Sequence, residues 1–402
     1  MQPEIRAPTQ DELRAAMAAA NSAFGEGLED TEFERRSESI PLDRVLAAFD
    51  GGRPVGLAAA REFELTIPGA VVPAAGVTWV GVPATHRRRG ILSALMRRQL
   101  DDLHERGEVL APLWASEAAI YGRFGYGLAS FNLSIEADRH SFALRDDPGP
   151  SGSCRFLEPD EATAVCPEVY ERMRTGRAGM LSRSERLWTG RLHADPPEWR
   201  DGGGPKFVVL LELGGRPVAY ARYRVHDKWE RSLPAGEVRV YEAIATSPEA
   251  TRELWRFLFG IDLVTTVRAD FFDAASPLLL MVQDVRRLRP SLNDGLWLRL
   301  VDVGKALRLR SFAAAGSVVL DVSDPFCPWN EGRFRAGEDA GPTGAAPELR
   351  LSVADLASAY LGAFDLEHLA SAGRVEELVP GALAHAAALF RTALPPFCPE
   401  EF

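Results

Sequence analysis

Short runs of consecutive apolar residues alternate along this chain with longer stretches in which apolar positions recur at helical spacing. The first pattern is that of buried strands and the second that of amphipathic helices. Residues 45–49 (VLAAF) and 56–63 read as strands on either side of Gly51-Gly52-Arg53-Pro54. That turn reads as a hairpin, with glycine supplying positive φ and proline fixing its own. Residues 207–211 and 219–225 repeat the arrangement around Gly214-Gly215-Arg216-Pro217. Downstream, VTWVGVPAT at 77–85 is echoed by VRVYEAIAT at 238–246, and helix-like stretches follow at 91–105 and 249–259. Chance recurrence of one turn is the competing account. The common order of turn, strand and helix points instead to two related α/β units in tandem.

Beyond residue 303 the pattern changes. Residues 318–322, 332–336 and 348–353 read as strands, and 355–361 and 375–390 as helices. The Gly-, Pro- and Ala-rich run at 336–347 is a loop. Breaks at 146–153 and near residue 302 divide the chain into domains 1–150, 151–302 and 303–402. The expected class is α/β with a C-terminal α+β domain.

Composition narrows the function. With 46% hydrophobic and 26% charged residues, the 402-residue chain is that of an ordinary folded protein. A net charge of −11 is the wrong sign for a nucleic-acid footprint and compatible with a cationic ligand. No apolar run is long enough for a membrane span. The start MQPEIRAPTQ lacks the basic-then-apolar pattern of a secretory signal, so a cytoplasmic location is expected. Cys154, Cys166, Cys327 and Cys398 form no CxxC and have no histidine at ligand spacing. Neither a disulfide framework nor a metal site is expected.

The segment 77–127 carries the chemistry. A strand ending at Val80-Gly81-Val82 leads into His86-Arg87-Arg88-Arg89-Gly90, and then into a helix with Ile91, Leu92, Leu95, Met96 and Leu100 on one face. The first N–H groups of a helix lack internal partners and sit at the positive end of its dipole. A glycine there lets an anion approach the backbone, and arginines add charge-assisted contacts. Alone, RRRG reads sooner as a solvated basic turn. The second strand at 109–115 completes a βαβ unit and favours phosphate binding.

These residues resemble the GNAT superfamily of N-acetyltransferases, whose Q/R-x-x-G-x-G/A turn cradles the coenzyme A pyrophosphate. Leu92 departs from that general pattern. THRRRGIL (85–92), ASEAAIYGRFGYG (115–127) and the final Glu400-Glu401-Phe402 are more closely similar to the Eis (enhanced intracellular survival) family, in which the leucine is normal. The resemblance spans the chain. It implies a catalytic GNAT domain, a second and degenerate GNAT-like domain, and a sterol-carrier-like C-terminal domain. It also implies acetyl-CoA as donor, cationic amines such as aminoglycosides as acceptors, modified at several positions, and a homohexamer.

The resemblance further assigns roles. Val80, Gly81, Val82, Arg88, Arg89, Gly90, Ile91, Leu92, Ser93, Ser116 and Glu117 are to form the coenzyme A site. Tyr121 is to be the general acid, although the residue also reads as a core aromatic, and Tyr126 is the less direct match. The terminal carboxylate of Phe402 is to be the general base, where most chain ends are frayed. Phe24, Glu26, Trp79 and Glu401 are to line the amine pocket, with Phe33 a further candidate. His86 more plausibly shapes its loop than reacts, and the remaining histidines carry no signal. In the second unit Ser247-Pro248-Glu249-Ala250-Thr251 replaces HRRRG, and an acid at a helix start competes with phosphate. Calorimetric titration with coenzyme A is therefore expected to give one site per chain; a stoichiometry of two would contradict the degeneracy of the second unit.

Overall fold

Gly51 and Gly52 hold φ at 58° and 78°, the left-handed pair that a tight hairpin needs, and join the strands Val45–Asp50 and Arg53–Ile67. Gly214 and Gly215, at 57° and 73°, do the same between Lys206–Leu213 and Arg216–His226. The computed structural model describes residues 3–402, which fall into two compact units. One comprises residues up to Ser130, Gly295–Ala393 and Glu401–Phe402; the other comprises Phe131–Asp294 and Leu394–Glu400.

The sheet of the first unit runs in the order Glu4–Arg6, Val45–Asp50, Arg53–Ile67, Ala70–Gly81, Leu110–Trp114, Leu296–Leu300 and Gly127–Leu128. Alternation along its strands sorts two cores. Val45, Ala47, Phe49, Leu57 and Ala59 pack against Leu13, Ala16, Met17 and Ala20 of the helix Gln10–Asn21. On the opposite face Leu46, Ala48 and Ala58 meet Ile91 and Leu95 of the helix Ile91–Glu105. Further along that face, Ala60, Ala75 and Val77 meet Met96, Leu100 and Leu103. The predicted helix 91–105 is thus present at its full length.

The sheet of the second unit repeats the plan, in the order Ser291–Asp294, Phe131–Asp138, Val264–Asp273, Gly236–Ala245, Arg216–His226, Lys206–Leu213 and Ser153–Leu157. The helix Pro248–Phe259 connects the parallel strands Gly236–Ala245 and Val264–Asp273, as Ile91–Glu105 connects Ala70–Gly81 and Leu110–Trp114. The tandem reading of the sequence corresponds to this repeated βαβ core. Sequence did not reveal that Leu296–Leu300, far along the chain, pairs with Leu110–Trp114 in the first sheet.

The C-terminal segment forms a five-stranded sheet, ordered Gly341–Pro342, Gly332–Gly337, Ser317–Ser323, Leu349–Ser352 and Val375–Glu377, with the helices Val353–Tyr360, Leu366–Ser371 and Ala382–Phe390. This corrects the expected helix over 375–390. Val375–Glu377 is a strand antiparallel to Leu349–Ser352, and the helix starts only after Gly381, whose φ is 90°. Pro380 and Gly381 break the run, and the Glu377 carboxylate accepts from the N–H groups of Gly381 and Leu383 at 2.9 and 3.0 Å.

Within the first unit, the C-terminal segment is fastened by a buried ion pair between Arg299 and Asp324, both side chains without exposure. Asn330 Nδ2 also donates to Asp324 at 3.1 Å, and Arg299 Nη1 donates to the Gly125 carbonyl at 3.3 Å. Removing one charge of a buried pair strands the other in a low-dielectric site. Asp324→Asn is expected to lower the unfolding free energy by about 3–5 kcal/mol in urea denaturation; a loss typical of an exposed pair, below about 1 kcal/mol, would contradict the burial argument.

Candidate active site

The site begins where two parallel strands part. Ala70–Gly81 pairs with Leu110–Trp114 at Ala74↔Leu110 and Val77↔Leu113, and not beyond. Its register against Arg53–Ile67 shifts between Leu57 and Ala59, so the strand carries one extra residue there. Trp79 takes up that residue with φ at 56°, a left-handed conformation costing roughly 1–2 kcal/mol for a side chain of this kind. Packing against the Leu13–Met17 core holds it, with the Arg61 guanidinium 6.0 Å from the ring centre. The bulge turns the strand away and leaves the backbone of residues 78–81 without a ladder partner on the Leu110–Trp114 side. Val80 is half-buried; Gly81 is buried, and a Cβ there would lie 2.7 Å from the Ala20 carbonyl oxygen.

The turn after this strand is open toward solvent. Arg88 and Gly90 have φ of 63° and 79°, and Gly90 is the N-cap of Ile91–Glu105, with no side chain capping that helix. A Cβ on Gly90 would touch nothing within 4 Å, so the space before the helix start is free. Arg88, Arg89 and Ser93 are exposed, while Ile91 and Leu92 anchor the helix to the cores beneath. Arg88 has no side-chain partner among the described residues, and Arg89 lies 3.8 Å from Asp50. Arg87 donates to the Ala23 carbonyl at 2.9 Å, and His86 meets Thr85 Oγ1 at 2.8 Å, so these two shape the loop. Uncapped amides with two outward arginines fit a pyrophosphate. The corresponding helix of the second unit is closed: Ser247 caps it, accepting from Ala250 N at 3.1 Å, with Glu249 in the first turn.

Tyr121 ends the short helix Ala118–Tyr121 and is 5% exposed. It shares a core with Ala75, Val77 and Met96, with Val80 and Leu92 packed against it. Burial raises its pKa above the usual phenol value, a hydrogen bond with Ser116 opposes the rise, and the charge of Glu117 adds to it. Ser116 and Glu117 are themselves exposed. Tyr126 stands edge-on to Tyr121 with centroids 5.8 Å apart. Tyr126 is buried in the core, and its hydroxyl has no hydrogen-bond partner among the described residues.

The opposite face of the same strand receives Phe402. Thr78 Oγ1 donates to the main-chain oxygen of Phe402 at 3.1 Å, and the Phe402 ring lies 4.9 Å from that of Phe63. A Cβ on Gly76 would overlap the Phe63 ring and come within 2.9 Å of the Phe402 ring, so glycine leaves room for both. Thr78, Gly76 and Phe63 were not found in the sequence, because nothing local marks them as a seat for a residue so distant in the chain. Ala75 and Val77 face Tyr121 while Gly76 and Thr78 face Phe402, so the two flank one strand at the point where it leaves its neighbour.

The expected amine-pocket residues are less tightly gathered. Phe24 is 50% exposed, Glu26 and Glu401 are exposed, and neither carboxylate has a side-chain partner among the described residues. Trp79 is half-buried. Phe33 instead packs on the Leu13 core beneath the Arg14 guanidinium, 5.2 Å from its ring centre. All four cysteines are free, and among the described residues no cluster of His, Cys, Asp and Glu could hold a metal ion. No described helix is long and apolar enough to cross a membrane.

Comparison with known proteins identifies the family. Residues 4–129 and 179–303 each match a family described as an acetyltransferase (GNAT) domain, and residues 303–399 match a sterol carrier protein domain. The chain is 43% identical over 410 residues to an uncharacterized N-acetyltransferase of Streptomyces avermitilis, covering all of both chains. It is 33% identical over 414 residues to N-acetyltransferase Eis of Mycobacterium tuberculosis, covering 98% of each. The crystal structure of Eis1 from Mycobacterium abscessus superposes with a TM-score of 0.85 at 33% identity, over the whole of both chains. A parted pair of strands, an uncapped basic turn and full-length similarity of this degree lead to one conclusion: the chain belongs to the Eis family of GNAT N-acetyltransferases.

Proposed function

We propose that this N-acetyltransferase transfers the acetyl group of acetyl-CoA to amines of small cationic molecules, aminoglycosides among them, at more than one position. GNAT enzymes use acetyl-CoA, and Arg88, Arg89, Gly90 and the first amides of Ile91–Glu105 would hold its pyrophosphate. The carrying observation is that Tyr121 and Phe402 flank the strand Ala70–Gly81 from opposite faces where it leaves Leu110–Trp114.

In this reading the terminal carboxylate of Phe402 takes a proton from the incoming ammonium group, directly or through one water. An α-carboxylate is ionised at neutral pH, with a reference pKa near 3.5. Thr78 Oγ1 and the Phe63 ring keep it in place. Backbone N–H groups within Val80, Gly81 and Val82 donate to the thioester carbonyl oxygen as the new C–N bond forms. Tyr121 gives its proton to the sulfur as the C–S bond breaks, and burial keeps that phenol protonated. Phe24, Glu26, Trp79 and Glu401 supply aromatic surface and negative charge for a polycation. The partnerless carboxylates Glu26 and Glu401 suit an acceptor that can turn to present different amines.

Coenzyme A release from acetyl-CoA, followed by a thiol reagent with an aminoglycoside and with a lysine peptide, tests the reading; no release with either amine would leave a carrier rather than this enzyme. Tyr121→Phe is expected to lower kcat by roughly 10- to 1000-fold while calorimetry shows acetyl-CoA still bound. Because the Tyr121 pKa is raised, its protonated form persists to higher pH, so the alkaline limb of kcat should lie above pH ~10. An alkaline limb that persists unchanged in Tyr121→Phe would belong to another group and contradict the assignment. Extending the chain beyond Phe402 by two residues should abolish turnover, whereas an N-terminal extension should not; full activity of the extended chain would remove Phe402 from the mechanism.

A further inference from the structure

We propose that the second acetyltransferase-like unit is a clamp for the end of the chain, and that Arg183 and Glu400 are positioning residues that set where the Phe402 carboxylate lies. The proposal rests on the reading of Phe402 as the base.

The segment Leu394–Glu400 belongs to the second unit, and the next two residues belong to the first. Residues 396–400 are all buried. Phe397 N donates to the Ala178 carbonyl at 2.9 Å, and Asn132 Nδ2 donates to the Cys398 carbonyl at 3.4 Å. Gly179, with φ of 94°, lets the segment approach; a Cβ there would stand 2.9 Å from the Phe397 oxygen. Pro395, Pro396 and Pro399 stiffen the path and reduce the freedom of the unanchored tail.

The pin is Arg183. Its two terminal nitrogens grip both carboxylate oxygens of Glu242, and its Nε donates to Glu400 Oε2 at 2.6 Å. The guanidinium lies 3.8 Å from the Tyr170 ring centre and 4.8 Å from that of Trp188. Side-chain exposures are 0% for Arg183, 1% for Glu242 and 2% for Glu400. With Nη1 and Nη2 on Glu242, and Nη1 also 3.3 Å from the Tyr220 hydroxyl, the Nε–H goes to Glu400. Arg222, 3.2 Å from Glu242, brings the cluster to two cations and two anions. At this depth an unpaired charge is strongly unfavourable, so Glu400 has one position. Phe402 is two residues on, a reach of at most about 7 Å.

The same strand explains how the unit came to serve this end. In the internal repeat Glu242 stands where the first unit has Gly81. The strands Gly236–Ala245 and Val264–Asp273 stop pairing after Val240↔Ala269, as their counterparts stop after Val77↔Leu113. The cavity beyond, of about 460 Å³, has Leu394 and Phe397 among its walls. Its helix start is capped by Ser247, and the tail of the chain forms part of the wall of this cleft.

The test uses the full chain with Glu400→Gln, Glu400→Asp and the doubly neutral R183M/E400M, which leaves Arg222 and Glu242 paired and so keeps the cluster uncharged overall. Two quantities are read on protein shown to be folded by circular dichroism: release of Phe402 by a carboxypeptidase, and kcat with the KM for acetyl-CoA. Glu400→Gln and the double variant should release Phe402 about tenfold faster and lose roughly 10- to 100-fold in kcat, the scale of a misplaced catalytic group, with KM within about twofold. Glu400→Asp should recover part of both. Unchanged release and unchanged kcat in a folded variant with a lowered melting temperature would show a merely structural pair and overturn the proposal. Failure of the base reading looks different: the chain extended beyond Phe402 stays active, while the release assay still reports the clamp.

Discussion

The parting of Ala70–Gly81 from Leu110–Trp114 governs the rest of the structure. Parallel strands normally keep pairing along the length they share. Here one inserted residue at Trp79, held in a strained conformation by the core behind it, ends the ladder after Val77. The unpaired backbone that results is what an acyl donor can use, and the uncapped start of Ile91–Glu105 lies next along the chain. Strain at Trp79 is local, and its compensation is the large apolar surface buried by the helix Gln10–Asn21.

Around that opening Tyr121 and Phe402 lie against opposite faces of one strand. Tyr121 is kept neutral by burial in an apolar core, which disfavours the phenolate. The role proposed for Phe402 depends on where the preceding chain holds it. A chain end is ordinarily the least ordered part of a protein. This one follows a buried segment, residues 396–400, with two prolines and a glutamate enclosed in a charge-balanced cluster. The second unit's own helix start is closed by Ser247.

Much of the fold was legible because its signals are local. Paired glycines announced both hairpins, helical periodicity marked 91–105 to the residue, and the repeated order of elements revealed the tandem units. The misreading of 375–390 has a local cause too. An Ala- and Leu-rich stretch satisfies helical spacing throughout, and only the Pro380–Gly381 break, with Glu377 capping forward across it, separates strand from helix. Of the site, the turn at Arg88–Gly90 and Tyr121 were visible as motifs. Thr78, Gly76, Phe63 and Arg183 were not, since each matters only through a partner hundreds of residues away or in another element.

The sequence by itself determined which segments become strand, turn and helix, where an anion could be bound, and that two α/β units precede a different third. Those properties follow from periodicity, glycine and proline geometry and helix-end electrostatics, all set within a few residues. Tertiary structure alone decided that Leu296–Leu300 completes the first sheet, that Tyr121 and Phe402 meet opposite faces of one strand, and that Glu400 is enclosed with Arg183 and Glu242. Such pairings are selected by burial and charge balance over long chain separations, and the free energy that selects them exists only once the elements have packed.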